Sequence, residues 1–186
     1  MRSLSGKPKN IICFSPYRWD FALQRPQHLL LRFAEDTNVY FLEDPIFDAL
    51  EEPFLSYATR SETLWKVVPH LKADMDGGEI TTCLTALIDQ FFANAKLDNW
   101  IFWYYNSSAL SFTKNHKPKL VIYDCMRETL AMSGAADEMN MLEKRLLERS
   151  DLVINKGSSA GHTADDWDNA YHHIAIQISN TVTGSN

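Results

Sequence analysis

The chain has 186 residues, 45% of them hydrophobic and 12% aromatic, enough apolar material for one folded domain and too much for a disordered one. Its 24 acidic residues outnumber 18 basic ones, giving a net charge of −6, and with no Lys/Arg block in the sequence a nucleic-acid partner is not expected. Cys13, Cys83 and Cys125 are odd in number and widely spaced with no CxxC pair, so neither a disulfide framework nor a zinc cluster is indicated, and a reducing, cytoplasmic setting fits.

Residues 1–9 read as a flexible amino terminus. Arg2, Lys7 and Lys9 precede an apolar run, Ile11 to Phe14, that is too short for a signal-peptide core, and no stretch approaches a membrane span. Asn10 to Ser15 reads as a buried strand, a short apolar run stopped by Pro16. Pro26 suits a first helical turn, where no backbone donor is needed, and Leu29, Leu30, Phe33 and Ala34 then share one helical face. Asp36-Thr37-Asn38 closes that helix, Val39 to Leu42 makes the second strand, and Glu43-Asp44-Pro45 ends it. Together these form a βαβ unit, whose crossover is right-handed.

Leu64 to Val68, stopped by Pro69, is the next strand signal. After the turn at Asp74 to Gly78, Ile80, Leu84, Leu87, Ile88 and Phe91 recur at helical spacing. Trp100 to Tyr104 is an aromatic strand, a short helix follows from Ser107, and Lys119 to Asp124 is another strand. Met139, Leu142 and Leu146 mark a helix, and Asp151 to Asn155 one more buried strand. Beyond Gly157 the periodicity weakens; the alternation of Ile174, Ile176 and Ile178 predicts a final strand, with 180–186 as a linker or truncated end. The pattern is α/β, a doubly wound, mostly parallel sheet with helices on both faces, over residues 10–179.

In such a sheet, ligands bind beyond the carboxyl ends of the strands. The first strand-to-helix loop there is crowded with Arg18, Asp20, Gln24, Arg25, Gln27 and His28. Ser15 to Gln27 contains no glycine and the chain has no Gly-x-x-x-x-Gly-Lys-Ser/Thr, which argues against NAD, FAD and ATP hydrolysis. Arg25 and Gln27 at a helix amino terminus suit an anion, while the plainer alternative for Arg25 is a surface ion pair. His28 is as readily a packed residue as a functional one. Asp124, at a strand end, fits either a general base for an acceptor hydroxyl or a helix cap. Tyr104 and Tyr105 offer rings for stacking on a sugar, whereas Trp100 and Phe102 suit the core. Cys125 reads as a small filler rather than a nucleophile. Asp74-Met-Asp76 and Asp166-Trp-Asp168 have the Asp-x-Asp form of a divalent-metal motif, but turn and capping roles account better for the first pair, and no metal ligand is assigned.

Three segments carry a family resemblance. Trp19-Asp-Phe-Ala-Leu-Gln-Arg-Pro-Gln-His-Leu-Leu30 resembles the first-loop signature of bacterial GT-B glycosyltransferases related to families 1 and 4. Phe41 to Asp48 is similar to the end of that group's second strand, and Pro118 to Met126 to its fifth-strand signature, in the same order and spacing. Arg127 departs from the pattern, standing beside Glu128 where the group carries an acidic residue, and Ile178 to Val182 is a weak copy of the segment that closes the amino-terminal domain.

The resemblance implies the acceptor-side domain of an enzyme moving a sugar from a nucleotide diphosphate sugar, the co-substrate, to a hydroxyl of a sugar or lipid-linked sugar acceptor in cell-envelope or exopolysaccharide synthesis. It implies no tightly bound cofactor, with charge on the leaving diphosphate met by hydrogen-bond donors. A missing carboxyl-terminal domain would bind the donor, leaving this chain inactive without it. Arg18, Asp20, Gln24, Arg25, Gln27, His28, Tyr104, Tyr105 and Glu128 would contact substrate, Asp124 would be catalytic, and the setting would be cytoplasmic with peripheral contact at the inner membrane face. The alternative is a non-catalytic Rossmann-like binding or regulatory module, motivated by Arg127 and the divergent carboxyl-terminal stretch. A metal-dependent transferase using Asp74 and Asp76 is the weakest of the three readings.

Overall fold

The computed structural model describes residues 10–21, 25–95, 99–125, 136–155 and 164–183. Seven strands, β1 (Asn10–Ser15), β2 (Asn38–Glu43), β3 (Phe54–Ser61), β4 (Leu64–His70), β5 (Trp100–Tyr104), β6 (Leu120–Cys125) and β7 (Leu152–Asn155), form one sheet. Its order is β3-β4-β2-β1-β5-β6-β7, parallel throughout except for the antiparallel β3–β4 hairpin. Without β3 this is the doubly wound order in which the chain starts at the centre, runs to one edge, and returns to build the other. The reversal falls between β1 and β5, which pair in register through Cys13 and Trp103.

The central strands are near-continuous apolar runs because both faces of the sheet are covered. Period-two alternation sends Ile11, Cys13, Phe41, Trp103 and Ile122 to one face, where they meet Leu29, Leu30 and Phe33 of α1 (Arg25–Phe33) and Ile174 and Ile178 of α5 (Ala164–Thr183). Ile12, Phe14, Leu42, Phe102 and Tyr104 point the other way, against Ile88 and Phe91 of α2 (Gly77–Ala95), Leu110 of α3 (Leu110–Thr113) and Leu146 of α4 (Ala136–Arg149). Among the described residues no helix is long and apolar enough to cross a membrane.

The expected last strand is a helix. Ile174 and Ile178 are buried, four residues apart, whereas Ile176 is 59% exposed, and Tyr171, Ala175 and Val182 pack with the buried pair on one helical face. Three alternating isoleucines satisfy a period of two, but only the longer register, Tyr171 to Val182, distinguishes the two periods, and it is helical. The domain boundary expected at residue 179 therefore falls inside α5, and Ile178 to Val182 is helical. The chain also has a strand that its sequence pattern did not indicate. β3 is an edge strand with exposed Phe54 and Tyr57; it lacks an apolar run because one side faces solvent, and its structure comes from pairing with β4.

Candidate functional site

The same alternation that buries Ile11, Cys13, Val39, Phe41, Trp103 and Ile122 on the α1 face carries Ser15, Glu43, Tyr105 and Asp124 to that face at the carboxyl ends of their strands. Ser15, Glu43 and Asp124 are buried. The amino terminus of α1 lies over them, beginning at Arg25, whose guanidinium lies 3.4 Å from the Asp124 carboxylate. Beside them, a small, partly apolar recess of about 20 Å³ lies among Ser15, Glu43, Pro45 and Asn106 and, from the other face of the sheet, Phe14 and Phe112.

Asp124 is the most unusual group in this region. Its side chain is fully enclosed and that of Arg25 is 10% exposed. Trp103 Nε1 and the Tyr105 hydroxyl face the carboxylate closely enough to favour its charged form, yet neither closes a hydrogen bond of good geometry. Arg25 Nε, Trp103 Nε1, Tyr105 OH and both Asp124 oxygens are thus buried polar atoms with no closed hydrogen bond. Burial drives the Asp124 pKa up to about 6, with the charge of Arg25 opposing it. The Tyr105 hydroxyl is pushed well above its ordinary range by burial and then by the Asp124 charge, and the buried Cys13 thiol is raised for the same two reasons.

The loop before α1 is held by a second buried carboxylate. Glu43 accepts from the Trp19 backbone N–H at 2.7 Å and from Arg18 at 3.0 Å, and Arg18 also donates to the Asp44 and Pro45 carbonyls. Gln27, buried in the first turn of α1, donates to the Trp19 carbonyl at 3.3 Å, so loop and helix are tied together from both ends. Asp20 leans outward and pairs with Lys66 and Arg60 at 2.7 Å.

The residues singled out in the sequence are therefore sorted. Arg25, Asp124 and Tyr105 come together, with Gln27 bracing the loop above them. Arg18 is engaged with Glu43 and adjacent carbonyls, Asp20 with the β3–β4 hairpin, and His28 is half-buried in α1. Tyr104 lies on the opposite face of the sheet, enclosed, with its hydroxyl on Thr113 at 2.8 Å and its pKa raised to about 12 by burial; its ring packs on Phe14, leaving no face for a sugar. Gln24 and Glu128 lie outside the described residues. Asp76 and Glu79 exchange backbone and side-chain hydrogen bonds at 2.9 Å in both directions, a capping box at the start of α2. Asp168 pairs with Arg32 at 2.7 Å. Glu43 and Trp103 also belong to this region, although the motifs of the sequence do not point to them. For Glu43 the signal was available, a carboxylate continuing the buried register of Val39 and Phe41 at a strand end.

Comparison with solved structures places this architecture. The chain superposes on an E. coli trehalose-6-phosphate structure bound with UDP-2-fluoro glucose at a TM-score of 0.50 and 9% identity, over 77% of this chain and 39% of that one. The fold is Rossmann-like, of the GT-B kind. An α,α-trehalose-phosphate synthase (UDP-forming) from Burkholderia xenovorans in complex with glucose-6-phosphate superposes at a TM-score of 0.45 and 9% identity, with the same coverages of 77% and 39%. The chain thus spans 39% of the length of the structure it matches at 0.50. No family model and no curated protein sequence matches it. In this GT-B-like domain, the Arg25–Asp124 pair sits at the strand ends where open α/β sheets bind ligands.

Proposed function

We propose that this chain is the acceptor-side domain of a glycosyltransferase that moves a sugar from a nucleotide diphosphate sugar to a hydroxyl of a sugar or lipid-linked acceptor, in cytoplasmic steps of cell-envelope or exopolysaccharide synthesis. A donor-binding domain completes the active site. The observation that carries the reading is Asp124, an enclosed carboxylate at the carboxyl end of β6 whose pKa is raised to about 6. An enclosed acid whose pKa is raised toward neutrality is suited to moving a proton near neutral pH. Arg25, the more exposed partner, is met first by an incoming acceptor, and its displacement from Asp124 would free the carboxylate to take the hydroxyl proton.

The test is sugar transfer by the product of the complete reading frame, assayed with a panel of nucleotide diphosphate sugars. Arg25→Ala and Asp124→Asn are each expected to lower kcat/KM by about 100-fold or more, the range of a lost acid–base or charge-stabilising group. Turnover unchanged in both variants would reject this reading. It would favour a non-catalytic Rossmann-like binding module.

A further inference from the structure

A second constellation lies at the opposite margin of the sheet, on the β3–β4 hairpin, and takes no part in the site above. His70, the last residue of β4, places Nδ1 2.7 Å from Asp48 Oδ1 and Nε2 2.8 Å from Ser56 Oγ. A carboxylate only accepts, so Nδ1 carries the proton in the neutral ring and Nε2 is left to accept from the Ser56 hydroxyl. This is the hydrogen-bond order of a serine nucleophile, its base and the group that orients the base. Asp48 lies in the loop after β2, Ser56 on β3 and His70 on β4, so the arrangement arises only when the hairpin folds back onto the sheet edge.

The ring is fixed as well as bonded. Phe54 stacks on His70 with centroids 4.3 Å apart and planes 3° from parallel. The His70 side chain is 14% exposed, Phe54 is 47% exposed, and Ser56 is half-buried. An apolar group approaching Ser56 therefore has a flat aromatic surface to rest on.

Backbone direction also decides which amides of β3 meet β4. The Pro69 carbonyl accepts from the Ile46 N–H, on the β2 side of β4. Alternation along β4 then turns Val68 and His70 toward their β3 partners Ser56 and Phe54. The amides of Leu55 and Tyr57 consequently face the open edge of the sheet, where β3 has no further neighbour. The Tyr57 N–H, next after Ser56, is therefore a backbone donor at that open edge.

We propose that Ser56, His70 and Asp48 form a serine-nucleophile site that hydrolyses carboxylic esters with small apolar acyl groups. Ser56 Oγ attacks the ester carbonyl while its proton passes to His70 Nε2. The tetrahedral intermediate collapses, its C–O bond breaks, and the alkoxide leaves with that proton as an alcohol. Water, deprotonated by His70, then attacks the acyl-serine; the carboxylic acid is released and Ser56 regains its proton. Asp48 is a positioning residue that holds the ring tautomer.

The experiment treats the full chain with a fluorophosphonate probe and maps the adduct by peptide mass spectrometry, alongside hydrolysis of p-nitrophenyl acetate. The expected result is an adduct on Ser56, absent in Ser56→Ala and formed about 100-fold more slowly in His70→Gln. Asp48→Asn is expected to slow it by about 10-fold or more, through loss of the tautomer that a carboxylate imposes. If His70→Gln fails to fold, His70→Phe keeps a ring against Phe54 without a base and is expected to lose the adduct while melting cooperatively. No adduct on Ser56 in the folded natural chain, or equal labelling in a folded His70 variant, overturns the proposal and leaves the three residues as a clamp on the hairpin.

Discussion

Asp20 lies in the first strand-to-helix loop and Asp124 beneath the helix that follows it; each is paired with basic side chains, yet their pKa values shift in opposite directions. Asp20, with its side chain 55% exposed, pairs with Lys66 and Arg60, and the Lys66 hydrogen bond leads the effects that lower its pKa. Asp124, with its side chain fully enclosed, has Arg25 at 3.4 Å, and burial raises its pKa from 3.8 to about 6 despite that partner. An ion pair in water keeps the solvation of both groups, whereas one at the strand ends beneath a helix loses it, and a single guanidinium at 3.4 Å does not restore what is lost. Pairing alone therefore says little about a carboxylate; how completely its oxygens are satisfied says more.

The largest expected effect tests that statement directly. Because the folded-state pKa of Asp124 is raised, the folded chain holds more proton there than the unfolded chain between about pH 4 and about pH 6, and stability falls as pH rises through that window. A shift from 3.8 to about 6 corresponds to a loss of about 3 kcal/mol. Asparagine mimics the protonated acid. Asp124→Asn is thus expected to be about 3 kcal/mol more stable than the natural chain in urea unfolding at pH 7, with the gain vanishing near pH 4. A variant that is instead less stable at pH 7 would mean that the Arg25 pair outweighs burial and would invert the comparison.

Glu43 sharpens the contrast, being as buried as Asp124 but fully engaged. Its side chain is 3% exposed and receives the Trp19 N–H at 2.7 Å and Arg18 at 3.0 Å. Glu43→Gln is expected to destabilise the chain by about 1–3 kcal/mol, because charge-assisted bonds weaken and one donor loses its acceptor. Limited trypsin digestion should then cut after Arg18 at least several-fold faster than in the natural chain. An unchanged cleavage rate would show that the loop is held without Glu43.

Much of this arrangement was legible in the sequence, and the failures have specific causes. The central strands and α1, α2 and α4 followed from apolar runs and helical spacing because both faces of the sheet are covered. β3 was missed because an edge strand need not be apolar, and α5 was misread because Ile174, Ile176 and Ile178 fit a period of two as well as a helix bearing one exposed isoleucine. Arg25 and Asp124 each stand out in the sequence, but their contact joins positions separated by most of the domain and depends on β6 lying beyond β5 from β1. Ser56, His70 and Asp48 carried no local signal, since their alignment depends on the hairpin register of an unrecognised strand.

The smallest expected effect belongs to Asp20. Its lowered folded-state pKa means that its contribution is present above the unfolded value and is lost as pH falls below about 4. With more than half of the side chain in solvent, screening leaves about 0–1 kcal/mol for the pairs with Lys66 and Arg60. Asp20→Asn is therefore expected to lower stability at pH 7 by no more than about 1 kcal/mol, and by nothing measurable in about 1 M salt, where exposed charges are screened within a few ångströms. A loss that persists at high salt would show that Asp20 acts by hydrogen bonding the loop to the β3–β4 hairpin rather than by charge. The two aspartates would then differ in the bonds they close, and not only in the water they keep.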